Sequence, residues 1–207
     1  MSIASSIILS DVKTVVGTSF TSSFGETSEF VVVFAGSSSA ASFSSLTVDG
    51  VALPPSQAAH ESVTFDRSLA MWVIPEGLSS GSHTLSVSGS PENVQMVVVP
   101  FAEARLTEAS QDLQTLVGAS TIELFSEEGS DFFTLMAWSC RKGEATVFPA
   151  GATSLYNDDA SATNVRLAVA AIPPGTSAAF SNGGWPIVSA GVRLSLGLEE
   201  SRVVWPK

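Results

Sequence analysis

The stretch DVKTVVG at residues 11–17 returns as DLQTLVG at residues 112–118, 101 positions later, with Asp, Thr, Val and Gly in place. The other three positions change only from Val to Leu, Lys to Gln and Val to Leu. The correspondence continues in order. GETSEFVVVFA, ending at Ala35, matches EEGSDFFTLMA, ending at Ala137, at an offset of 102, and LAMWVIPEG (69–77) matches LAVAAIPPG (167–175) at an offset of 98. Three ordered blocks separated by small length changes mark an internal duplication. A period near one hundred residues is that of a domain, far beyond the roughly 20 to 50 residues of solenoid and propeller repeats.

Each copy reads as β-structure. Short runs of β-branched and aromatic residues are punctuated by Gly, Ser, Asn and Pro, as in FVVVFAGSSS, LTVDGVALPP and GSHTLSVSGSPENV. About seven such runs fit in each copy, the number expected of an antiparallel β-sandwich of jelly-roll or Greek-key type. The expected fold is therefore all-β: two tandem antiparallel β-sandwich domains, residues 1–104 and 105–207, divided at the polar run AEARLTEASQD around residues 103–108. Limited proteolysis near Arg105 is then expected to leave two folded pieces. STIELF alternates as a half-buried strand does, with Ile122 and Leu124 on one side. EFVVVF and VQMVVVPF are apolar without a break over residues 30–34 and 96–101, so both their faces must be covered, by the sister domain or by another chain. The repeated IPEG and IPPG end a strand: Pro75 and Pro173 offer no amide hydrogen, and Gly77 and Gly175 permit a positive φ.

Charge narrows the partners. Twenty acidic against nine basic residues give a net charge of −11, and such a field repels phosphate backbones and anionic membranes. Only 14% of residues are charged while Ser is about a sixth of the chain, so hydroxyl groups must cover much of the surface. Cys140 is alone and forms no internal disulfide; its expected place is a buried strand position. The N-terminal MSIASSIILSDVK has neither a basic region nor a long apolar run, so no signal peptide or membrane span is expected there.

Little in the chain points to chemistry. GLSSG (77–81) matches the G-x-S-x-G of hydrolase nucleophile elbows around Ser79, but it stands between strand patterns in place of the required strand–turn–helix. His83 and Asp66 are the residues that could complete a Ser-His-Asp set with it, and His60 is the only other histidine. No catalytic residue, cofactor or metal is predicted: Cys140 has no Cys or His at zinc-ligand spacing, and EEGSD (127–131) and NDD (157–159) read as solvated turns, with GETSE (25–29) as the hairpin turn equivalent to the first. Trp72 and Trp138 sit in strand patterns and read as core. Tyr156 and Trp185, in loops beside Asn157, Asp158 and Asn182, are the best candidates for stacking on and hydrogen bonding to a sugar. Trp205, in ESRVVWPK, is read as anchoring the C-terminus.

The succession FVVVFAG, S-x-L-T-V-D-G-x-A-L, LAMWVIPEG, G-x-H-T-L-S-V-S-G and VQMVVVPF resembles the duplicated β-sandwich modules of accessory virion proteins in tailed phages and gene transfer agents. The resemblance covers residues 29–101 well and 131–196 more loosely, and departs at ATVFPAGATSLYNDD and AAFSNGGWPIV. It implies a non-enzymatic virion component on a head or tail, supporting or forming a spike or fibre, made in the host cytoplasm. The expected partners are other virion proteins, further copies of the chain through its apolar strands and residues 203–207, and a host surface glycan, with no nucleic acid or membrane. A carbohydrate-binding adhesin is the alternative.

Overall fold

The computed structural model describes residues 8, 11–38, 43–61, 67–89, 92–102, 104–106, 115–116, 121–124, 132–141, 148, 150–158, 165–173, 178–181 and 187–196. Among the described residues there are strands, turns and bends and no helix. In chain order the strands are β1 (Lys13–Val16), β2 (Ser19–Phe24), β3 (Phe30–Ser37), β4 (Phe43–Val48), β5 (Val51–Leu53), β6 (Gln57–Glu61), β7 (Arg67–Ile74), β8 (Gly81–Gly89) and β9 (Gln95–Phe101). They continue as β10 (Ala104–Leu106), β11 (Thr115–Leu116), β12 (Thr121–Leu124), β13 (Phe132–Arg141), β14 (Thr153–Asp158), β15 (Val165–Ile172), β16 (Ala178–Ser181) and β17 (Ile187–Leu196). Every pairing is antiparallel.

The strands make an outer sheet β2-β8-β4-β5, a central sheet β1-β9-β3-β7-β6, a second central sheet β10-β17-β13-β15-β14 with β11 also on β17, and a ribbon of β12 and β16. The two central sheets have the same strand order when β1, β9, β3, β7 and β6 are set against β11, β17, β13, β15 and β14. The chain leaves β9 at Phe101 and enters β10 at Ala104, on the other central sheet, within the run expected to divide the copies.

Burial explains the unbroken apolar strands. In β3 the odd positions Val31, Val33 and Ala35 face the outer sheet, where they meet Leu46, Trp72, Leu85 and Met96. The even positions Phe30, Val32 and Phe34 face the other way and join Leu69, Met71, Val97, Val99 and Phe101 with Leu135, Ala137, Leu167, Val169 and Ala171 of the second half. One core thus spans both halves, with β15 lying over β3 and β9, and β17 over β7 and β6. The cover required for EFVVVF and VQMVVVPF is the other half of the same chain. Phe30 and Phe101, paired across β3 and β9, stack with their centroids 4.6 Å apart. The far face of the second central sheet carries Met136, Trp138, Ala168, Ala170 and Ile172, with Phe148 and Ala152 against it.

One expected register changes. The sequence match sets Ala35 against Ala137, yet Ala35 faces the outer sheet and Ala137 the shared core. Ala35 pairs with Ala70 in one central sheet, while Ala137 pairs with Val169 in the other, one residue past Ala168, the counterpart of Ala70. A one-residue slip exchanges the faces of a strand. Here both faces are apolar, so the sequence pattern does not resist it.

The opening motif has a structural role. Asp11 precedes β1 and its carboxylate accepts hydrogen bonds from the Gly25 amide and from Lys13 Nζ, the latter at 3.2 Å. These donors, the Gly25 amide first, hold its pKa below the ordinary carboxylate value. Gly17 ends the strand with φ 141° and donates to the Val94 carbonyl at 2.8 Å. Residues 25–29 do not form a hairpin turn: they carry the chain from β2 in the outer sheet to β3 in the central one. The repeated IPEG is the expected strand end, with Gly77 at φ 64° and its amide 3.2 Å from the Ile74 carbonyl.

Candidate functional site

The polar residues that converge in the described structure lie at one end of the pair formed by the outer sheet and the first central sheet. Val48 and Val51 pair across the two-residue turn Asp49-Gly50, whose φ values of 48° and 90° are those of the tight turn that Asp-Gly favours. This turn brings Asp49 beside β8. Its amide donates to the Thr84 carbonyl at 2.9 Å, and its Oδ1 accepts the Thr84 amide at 2.8 Å. Its Oδ2 lies 2.6 Å from Nδ1 of His83. The other ring nitrogen, Nε2, lies 2.9 Å from the backbone carbonyl of Ser79 and 3.4 Å from that residue's hydroxyl. Phe24, at the end of β2, meets the ring edge-on at 5.9 Å between centroids.

The neighbouring loops are bound to one another. Ser28 donates its amide to the Leu78 carbonyl at 2.9 Å, its hydroxyl oxygen accepts the Leu78 amide at 2.9 Å, and Ser80 donates its amide to Thr27 Oγ1 at 3.1 Å.

The spatial order Asp49, His83, Ser79 is that of a hydrolase triad, but the hydrogen bonding differs. Both ring nitrogens face an acceptor, a carboxylate on one side and a carbonyl on the other. Only the doubly protonated imidazolium donates to both. The hydrogen bond to Asp49 leads the effects that raise the His83 pKa above 6.5, with the Ser79 carbonyl acting in the same direction and burial against it. Asp49 is lowered, chiefly by the Thr84 amide and then by His83. A general base needs a free lone pair on Nε2 to take the serine proton. In the doubly protonated ring that position carries a proton directed at the Ser79 carbonyl. The contacts tie together the β4–β5 turn, β8 and the loop before β8.

The partner expected for Ser79 and His83 was Asp66, which lies outside the described residues; Asp49 takes that place. The signal for Asp49 was present in VDGV, a hairpin turn between two apolar stretches, but nothing local linked that turn to a histidine 34 positions away.

The predicted sugar-contacting residues fare differently. Tyr156, Asn157 and Asp158 belong to the edge strand β14, where a loop was expected. A register irregularity between Ser154 and Tyr156 lets both Leu155 and Tyr156 pack against the shared core, leaving Tyr156 half-buried and Asn157 exposed. Asn182 and Trp185 lie outside the described residues, as do the EEGSD cluster, Trp205 and residues 203–207. Trp72 and Trp138 are fully buried, as predicted, and Cys140 lies in β13. Among the described residues there is no group of three or more His, Cys, Asp or Glu placed to hold a metal ion. No described helix is long and apolar enough to cross a membrane.

Comparison with protein-family models, with curated proteins and with solved structures returns no match.

Proposed function

We propose that this chain is a structural component of a tailed phage or phage-like particle, built from two tandem antiparallel β-sandwiches of duplicated origin and mounted on a head or tail. The observation that carries the reading is the shared core: β3, β7 and β9 bury their inner face against β13 and β15. The corresponding strand orders support the duplication, and so does the reciprocity of the contact, since β13 lies over β7 while β15 lies over β3. Such an isologous contact is how two copies of one module pair. It makes the halves a stiff unit without a disulfide.

The outer sheet suits a building element. Its outward side chains include Ser19, Thr21, Ser23, Ser82, Thr84 and Ser88, all exposed. Several bond to each other, as Thr21 to Thr84 at 2.8 Å and Ser45 to Ser88 at 2.5 Å. Small hydroxyl side chains without charge give a flat surface for neighbours in a particle. With the long apolar strands already covered, contacts to other virion proteins are made through this face, the sheet edges and the sandwich ends.

Mass spectrometry of purified particles from the source, followed by a cryo-EM map, tests the reading. The chain is expected at a fixed copy number per particle, with density for both halves. Particles that lack it overturn the proposal.

A further inference from the structure

We propose that Asp49, His83 and Ser79 form a pH-operated clasp that locks the loop before β8 and the β4–β5 turn to the end of the first sandwich, and that opens when the histidine loses its second proton. The inference is independent of the particle reading and rests on the placement of the ring. His83 is the central member of a chain of contacts running from the turn, through β8, to residues 77–80. Its side chain is only 12% exposed, so rearranging the ring disturbs what surrounds it.

The groups around the ring define the chemistry. Asp49 contributes a carboxylate from the β4–β5 turn, the loop before β8 contributes the Ser79 carbonyl and hydroxyl, and β2 contributes the Phe24 ring. Lys13, ion-paired with Asp11, stands 5.6 Å from the centroid of that same Phe24 ring. When the Nε2 proton passes to solvent, the lone pair left behind points at the Ser79 carbonyl from 2.9 Å. Two acceptors at that distance repel, so the ring must turn or the loop must withdraw. Turning the ring also gives up the contact of Nδ1 with Asp49.

The direction in pH follows from linkage. A histidine raised in the folded state contributes stability that is fully present below its unfolded value of 6.5 and is lost as pH rises through the folded value. Asp49, lowered from 3.8, contributes above that value, and its contribution is lost as pH falls through the lower folded one. The clasp is therefore closed at mildly acidic pH and opens as pH rises through a folded His83 value that lies above 6.5. The halves differ in this respect: His60 and His83 are the only histidines and both belong to the first. Loops at the ends of β-sandwiches are where recognition surfaces are commonly built. A clasp there makes one end of the molecule responsive and the other not.

The test uses the whole chain in NMR, following the His83 ring nitrogens and the amide protection factors of Asp49, Ser80 and Thr84 from about pH 5.5 to about pH 9. His83→Gln identifies the ring signals. The expected result is a doubly protonated His83 at the acidic end, a midpoint above 6.5, and amide protection that falls through that midpoint by about tenfold per unit of elevation. Asp49→Asn, which keeps an acceptor for the Thr84 amide, is expected to lower the midpoint, and His83→Gln to abolish the pH step. Protection of Phe34 in β3 serves as the control that the variants fold. A single-proton tautomer at the acidic end, a midpoint at or below 6.5, a flat protection profile in the native chain, or the same step in His83→Gln each overturns the proposal.

Discussion

Gln95 and Leu167, 72 positions apart, meet across the buried layer between the two central sheets: Oε1 of Gln95 accepts the Leu167 amide at 2.9 Å. Gln95 is fully buried at the start of β9, where Val97, Val99 and Phe101 face the same layer. A directional bond in an otherwise apolar contact fixes how one sheet sits on the other. Gln95→Met keeps the length of the side chain and removes the acceptor. The expected loss is roughly 1 to 3 kcal/mol, the cost of leaving a buried donor without its partner. Urea unfolding checks it, and a midpoint unchanged from that of the native chain would show that the bond contributes nothing.

Gly36 sets the closeness of the sheets at the same end. A Cβ built there falls 3.3 Å from Ser139 Oγ, tighter than side chains ordinarily accept, and 3.4 Å from Leu167 Cδ1. Gly36→Val is expected to destabilise by about 1 to 3 kcal/mol through overpacking. Ser139→Gly removes the facing side chain and should recover part of that loss. The double-mutant cycle reads the coupling directly, and strict additivity would place the strain elsewhere.

The shared core also governs cooperativity. Trp72 lies within the first sandwich, in edge-on contact with Phe43, and Trp138 lies on the far side of the second central sheet near Phe148. Variants that keep one of these two tryptophans, with Trp185 and Trp205 replaced by Phe, report on each half separately. Because Phe34 and Leu167 belong to one cluster, the two signals are expected to move together in urea. Phe34→Ala should lower both midpoints, with a cost of about 3 to 5 kcal/mol. Cleavage at Arg105, which pairs with Ser195 on β17, is then expected to leave the pieces associated. Two separate transitions would mean that the halves fold independently, as the polar run alone suggested.

What could be read from the sequence depended on how many faces a strand buries. β2 alternates between exposed and covered positions, and β8 does so over most of its length. Polar residues mark the outward positions in such strands. β3, β7 and β9 are covered on both sides, so their sequences required a second cover without saying which side faces the sister half. The slip of Ala137 relative to Ala35 is a direct consequence. Turns were legible because Gly77 and the Asp49-Gly50 pair carry conformations that few other residues adopt. The convergence of Asp49 on His83 was not, since it depends on the pairing of β4 with β8, which no local pattern states. Tyr156 was misplaced because its Asn and Asp neighbours read as a loop, whereas the irregularity in β14 turns it toward the core.

Ser79 offers a chemical check. Its hydroxyl is 3.4 Å from a ring nitrogen that its own carbonyl already engages at 2.9 Å. An unactivated serine reacts slowly, because its proton has no base to accept it. Below the His83 midpoint, where Nε2 is protonated, a fluorophosphonate probe is therefore expected to label the chain at the rate of an ordinary surface serine, without a dependence on His83. Fast labelling abolished by Ser79→Ala and by His83→Gln would instead identify an acyl-transfer centre.

Two glycines with positive φ separate backbone strain from steric contact. Gly50, at φ 90°, has open space where a Cβ would stand, so Gly50→Ala costs only the conformational penalty of the turn, on the order of 1 kcal/mol. Gly77, at φ 64°, would place a Cβ 1.9 Å from the Ser28 carbonyl oxygen, which is backbone and cannot rotate away. Relieving that overlap requires residues 27–29 to shift, and the bonds joining Ser28 to Leu78 and Thr27 to Ser80 shift with them. Strain and broken bonds together should make Gly77→Ala cost at least about 2 kcal/mol more than Gly50→Ala. Denaturation midpoints of the two variants measured side by side decide the matter. Equal losses would mean that the loop yields at no cost, and the close packing of residues 25–29 on residues 77–80 would then contribute little to the first sandwich.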